Sequence, residues 1–193
     1  MAHPGRHLAA ALVAALTLTA GGSATAEQLD TTIVVHVDDH AAVARGVLAG
    51  AMDRVADIYK TIGVRIEWDR GAAVSRATPG ERHLNVLLLT RDLRAKKIAE
   101  DAEKQAVLGY AHLASGRAYI FFERVAALPG RDTSLATQLG DVIAHEIGHL
   151  MLGQRTHSAN GIMRASLGVR TFPLETFTGT EARTIRAALL ASR

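Results

Sequence analysis

Residues 134–153 read SLATQLGDVIAHEIGHLMLG. Val142, Ile143, Ile147 and Leu150 fall at near-helical spacing and predict a helix with a buried face. Asp132, Thr133 or Ser134 can cap its start, and Gly153 stops it. Inside this helix lies His145-Glu146-Ile147-Gly148-His149, the pattern H-E-x-x-H. Two histidines at i and i+4 project from one face a single turn apart, so their ring nitrogens can share one ion. Glu146 stands beside them, suited to contact an ion's water rather than the ion. Two histidines and a glutamate are costly to bury without a partner. That cost argues against their being ordinary core residues.

Upstream of this helix the pattern alternates between strands and one long helix. Thr32–Val37 (TIVVHV) is β-branched and reads as a strand. Ala41–Ile62 carries Val43, Val47, Leu48, Met52, Val55, Ile58 and Ile62 near helical spacing, and Gly63 follows where a glycine commonly ends a helix. Val64–Trp68 alternates as a second strand, Arg70–Arg82 is loop-like, and His83–Thr90 (HLNVLLLT) has the composition of a buried strand. Leu108–Leu113 and Arg117–Glu123 predict two further strands joined by a turn at Ser115-Gly116. Downstream, Thr178 and Glu181 form a T-x-x-E capping box that opens a last helix running to about Ala191. The order predicts one α/β (α+β) domain. It would have a mixed twisted sheet, a long backing helix, the H-E-x-x-H helix and a small C-terminal part with a terminal helix.

Composition narrows the chemistry. The chain has 193 residues, of which 48% are apolar, and no cysteine. Disulfides, thiol catalysis, thiolate zinc sites and iron–sulfur clusters are thereby excluded, so a bound metal must take His, Asp or Glu. A net charge of +3 does not suggest nucleic acid. The charge-rich stretch Arg91–Gln105 has no interleaved aromatics and reads as an exposed helix or solvated loop.

Met1–Ala26 reads as a secretory signal peptide. Arg6 supplies a basic start, Leu8–Ala20 an apolar run, and Ala24-Thr25-Ala26 a small-x-small cleavage site. The run is too short to span a bilayer. The expectation is therefore an exported protein, extracellular or periplasmic, without stable membrane insertion after cleavage. Residues 27–193 would form the folded domain, divided into 27–153 with the sheet and metal helix and 154–193 with the C-terminal elements.

A third ligand is needed to complete an ion's shell. His157 lies eight residues after His149, and Gly153 lets the chain leave the helix sharply enough to return it to the ion. Asn160-Gly161-Ile162-Met163 then forms a tight turn ending in methionine. In these residues the chain resembles the metzincin clan of zinc peptidases, whose signature is H-E-x-x-H-x-x-G-x-x-H followed by a methionine turn. His145, Glu146 and His149 match directly, while His157 and Met163 take the places of the third histidine and the turn methionine. The spacing departs from the signature, reading H-E-x-x-H-x3-G-x3-H, with Gly153 one residue late and His157 two. The order of upstream elements also resembles that family, and Leu108–Leu113 takes the place of its antiparallel, substrate-pairing edge strand.

The resemblance implies a Zn2+ cofactor, a peptide or protein substrate and Glu146 as general base in peptide-bond hydrolysis, in a chain expected to be monomeric. Two alternatives stay open at this point. Glu175 or Glu181 could complete a gluzincin-type zinc site, or the chain could be a non-catalytic secreted zinc-binding domain. Tyr110 and His112 share one side of the edge strand and are candidates for substrate contact. Asp141, one turn before His145, could orient a ligand ring but reads better as part of a solvated helix face. His36, His40 and His83 read as strand or loop residues with ordinary partners. No tyrosine follows Met163, so an oxyanion stabiliser is unassigned.

Overall fold

A computed structural model describes residues 31–69, 81–101, 107–129, 134–165 and 175–191. The signal-peptide reading of 1–26, most of the loop reading of 70–82 and the alternative caps Asp132 and Thr133 fall outside them. The elements in chain order are β1 (Thr31–Asp39), α1 (Arg45–Lys60), β2 (Val64–Asp69), β3 (Glu81–Leu89), α2 (Arg91–Asp101), β4 (Gly109–His112), β5 (Arg117–Phe121), α3 (Phe122–Ala126), α4 (Leu135–Leu152) and α5 (Gly179–Leu190). This is the expected α/β fold with a mixed sheet.

The five strands lie in the order β2-β1-β3-β5-β4. β1 pairs in parallel with β2 and β3, and β3 with β5, while β4 is antiparallel to β5 and forms one edge. Alternation assigns the faces. Ile33 and Val35, Leu84 and Val86, and Ala118 and Ile120 turn to one side and join a core with α1 and α4. From the other face Tyr110, Tyr119, Phe121 and Leu89 build a smaller apolar cluster.

α1 buries Leu48, Met52, Val55 and Ile58 of the expected stripe, together with Ala51 and Tyr59. The helix starts at Arg45 rather than Ala41. β1 continues to Asp39 in register with Leu88, and the Asp39 carboxylate accepts the Val43 N–H at 2.9 Å, holding these residues in a turn. Polar ties join α1 to α4. The fully buried Tyr59 hydroxyl donates to the Ala144 carbonyl at 3.2 Å, and Arg54 meets Asp141 at 2.8 Å.

Other boundaries move with the packing around them. β3 begins at Glu81, because Glu81 and Arg82 pair with Thr32 and Ile33 of β1. The strand expected over Arg117–Glu123 stops at Phe121, and the next residues turn into α3, which buries Val125 against α4. The charged stretch from Arg91 forms α2, exposed at Arg91, Asp92, Leu93 and Lys96. α5 begins with the expected capping box, Thr178 and Glu181 each accepting the other's backbone N–H, and packs on α4 and β1. No described helix is long and apolar enough to cross a membrane.

Candidate metal centre

α4 is the most buried helix of the fold. Its cap is Ser134, whose hydroxyl accepts the Thr137 N–H at 3.1 Å, and residues 142–151 are all buried. A helix held on every side places its side chains rigidly, and His145, Glu146 and His149 are only 6%, 6% and 5% exposed. Gly153 ends the helix in the left-handed conformation, φ 65°, which an L side chain rarely adopts. That turn brings the Gln154 carbonyl back beneath His149, where it meets Nδ1 at 2.9 Å. The Ile162 carbonyl, in the turn before Met163, meets His145 Nδ1 at 2.8 Å.

These two carbonyls decide the tautomers. A carbonyl can only accept, so each Nδ1 carries the proton and each Nε2 is left with a lone pair. The two Nε2 atoms are 3.0 Å apart, the ring centroids 4.6 Å apart and the planes almost perpendicular at 88°. Two facing lone pairs repel unless a cation lies between them, and burial disfavours a proton as that cation. Desolvation pushes the His145 pKa down to about 4, the Ile162 carbonyl opposing it and the neighbouring His149 and His157 lowering it further. His149 is also shifted down, first by desolvation. A donor set that is neutral, convergent and resistant to protonation fits a metal ion.

His157 completes the set. Its ring centroid is 5.2 Å from that of His145 and 5.0 Å from that of His149. One nitrogen from each of the three histidines lies within 4.8 Å of the others, close enough to hold one metal ion. The first two are buried and His157 is exposed, so the cluster opens to solvent on the His157 side.

Another histidine pair shows what convergence means. His36 Nε2 and His83 Nδ1 are likewise 3.0 Å apart, yet their centroids are 5.3 Å apart and their planes within 24°. Equal nitrogen separation with more distant centroids puts these rings end to end, as in an N–H···N hydrogen bond. Asp69 lies 3.1 Å from His36 and Glu81 3.5 Å from His83, so the pair has the ordinary partners expected of it.

The supporting residues fall around the cluster. Met163 is fully buried and packs against α4 at Gly148, where a Cβ would lie 2.4 Å from Met163 Sδ and 3.0 Å from Phe177 Cε1. Only glycine lets the turn come this close. Glu146 packs against Gly109 of β4, where a Cβ would lie 2.8 Å from its Cγ and Oε1. Tyr110 and His112 do share one side of β4, but it is the face away from α4. Tyr110 stacks with Tyr119, and His112 Nδ1 meets Ser115 Oγ at 2.7 Å. Tyr110 still reaches the site's rim through Arg155, which donates to its hydroxyl and lies 4.3 Å from its ring centroid.

The remaining carboxylates are engaged elsewhere. Glu175 takes two bonds of 2.8 Å from Arg164, and Glu181 accepts from Thr178 N and Ser158 Oγ. Asp141 faces Arg54, and burial raises its pKa more than that arginine lowers it. Arg155, Gly109, Gly148 and Phe177 were not legible as site residues, because only the fold makes them neighbours. Ser158 carried a signal, directly following His157.

The chain matches no known family model and no curated protein.

Proposed function

We propose that this chain is an exported zinc peptidase of the metzincin type, hydrolysing peptide bonds with Glu146 as general base. The observation that carries the reading is the convergence of His145 and His149, lone pairs inward and buried, on an exposed third histidine. Zinc bound there by His145, His149 and His157 would keep a coordination position for water and lower that water's pKa towards 7.

The protein's own groups supply the rest. Glu146, one residue from His145 and held against β4, accepts the proton of the attacking water and returns it to the leaving amine. β4 is a sheet edge, and an extended peptide can pair with such an edge through its main chain. The engagement of Glu175 with Arg164 and of Glu181 with Ser158 and Thr178 favours His157 over either carboxylate as third ligand. A structural zinc site closes with four protein ligands. The cluster found among the described residues offers three, one of them exposed, which favours an open site.

The test is cleavage of an unfolded polypeptide by the purified mature protein, run beside Glu146→Ala and with a chelator. Cleavage that disappears on chelation, returns with zinc and is absent from a zinc-loaded Glu146→Ala variant is expected. Cleavage at near-full rate by that variant refutes the assignment of the base. No cleavage of any peptide by zinc-loaded protein favours a binding domain.

A further inference from the structure

His157 is held differently from its two partners. His145 and His149 have their rings fixed by carbonyls, whereas among the described residues no hydrogen bond to the His157 ring is found. An exposed ligand ring with no such bond takes its position from the backbone that presents it.

That backbone is anchored at the next residue. Ser158 N–H donates to the Met163 carbonyl at 2.8 Å, closing 158–163 into a loop. Ser158 Oγ donates to Oε1 of Glu181. The other oxygen, Oε2, accepts the Thr178 N–H at 2.7 Å as part of the α5 capping box. Glu181 is only 7% exposed, and α5 is seated on the core by Ala182, Ile185 and Leu189. A capping box needs one carboxylate oxygen. Here the second is spent, under burial, on a residue outside the helix and adjacent to a metal ligand.

We propose that Glu181 is a positioning residue for the metal centre, fixing through Ser158 the backbone that presents His157. It ties the terminal helix to the third ligand and does not itself touch the ion. The inference rests on the three-histidine reading of the site. Partners that hydrogen-bond a metal ligand directly commonly change metal affinity by about 10-fold to 100-fold when removed, and a tie one residue from the ligand is set at the lower end of that range.

The experiment measures Zn2+ affinity of the full chain by competition with a chromophoric chelator, and the visible spectrum of the Co2+ form. Ser158→Ala breaks the tie and leaves the capping box, Glu181→Ala breaks both, and Glu181→Gln keeps a group that can bond to Ser158. Each is made with His157 present and with His157→Ala. We expect Ser158→Ala and Glu181→Ala each to weaken zinc about 10-fold or more, and the double variant to be no weaker than the worse single. Glu181→Gln should recover most of the loss, and the Co2+ spectrum should shift in step with affinity. With His157 absent, neither change should weaken zinc further.

Zinc affinity within twofold of the parent in Ser158→Ala overturns the proposal and leaves Glu181 a helix cap. So does an equal loss with and without His157. If His157→Ala itself keeps the parent's zinc affinity, the three-histidine centre fails and the proposal fails with it. That result is distinct from a silent Ser158→Ala in a chain that depends on His157.

Discussion

Replacing Gly148 with alanine sets two effects of known sign against each other. In the interior of a helix, glycine to alanine gains about 1 kcal/mol of helix propensity. At this position the new methyl would lie 2.4 Å from Met163 Sδ, 3.3 Å from Met163 Cε and 3.0 Å from Phe177 Cε1. Met163 is 0% exposed and Phe177 6%, so neither can swing into solvent to make room. Overpacking of this kind costs about 1–3 kcal/mol. Moving Met163 also displaces the neighbouring Ile162 carbonyl from His145 Nδ1, and a hydrogen bond is worth about 1 kcal/mol net. Together the losses exceed the gain, and a net destabilisation of about 1–3 kcal/mol is expected in the metal-free chain. Zinc affinity should fall by about 10-fold, because the carbonyl that orients His145 has moved. Urea unfolding followed by circular dichroism measures the first quantity and chelator competition the second. Adding Met163→Ala to Gly148→Ala should cost less than the sum of the two singles, since the alanine methyl fills part of the space the methionine leaves. If Gly148→Ala is more stable by the propensity gain and binds zinc unchanged, the close packing of this turn on α4 is wrong.

Three further outcomes follow from the same geometry. Gly109→Ala places a methyl 2.8 Å from Glu146 Cγ and Oε1, so the proposed peptide hydrolysis should drop at least about 10-fold with zinc content unchanged; equal turnover in a steady-state assay counts against Glu146 acting from that position. Tyr59→Phe leaves the Ala144 carbonyl without its buried donor and should cost about 1 kcal/mol in urea unfolding, and an unchanged midpoint would contradict this. Burial holds His145 near pKa 4 in the fold against 6.5 as the reference, so between these values the unfolded chain binds more protons. Stability of the metal-free protein is therefore fully present above about pH 6.5 and is lost as pH falls towards 4, by about 3 kcal/mol from this group. A stability profile equally steep in His145→Gln would show that other groups cause the acid loss.

Local periodicity and local chemistry were enough to write down most elements of this protein. TIVVHV, VRIEW and HLNVLLLT are strands because β-branched and apolar residues suit a buried pleat, and α1 is a helix because its apolar residues recur every three to four positions. The spacing of His145 and His149 puts them on one helical face whatever surrounds it. The Thr178–Glu181 box and the stop at Gly153 are likewise short-range, since each needs only a few residues to satisfy helix ends. What the chain could not show locally are relations between distant segments. The strand order, the turn of Phe122–Ala126 into α3 and the start of α1 at Arg45 depend on which surfaces remain to be covered after packing. The same holds at the candidate metal centre. The carbonyls of Gln154 and Ile162 choose the tautomers of His149 and His145, and Glu181, 24 residues beyond His157, anchors Ser158 beside it. Tyr110 sits on the far face of β4 because Gly109 must lie against Glu146, and alternation sends the next side chain the other way. Spacing along the chain thus names the candidate ligands, two on one helix and one beyond Gly153, whereas the orientation of the helical pair depends on backbone groups that only the packed fold brings within hydrogen-bond reach.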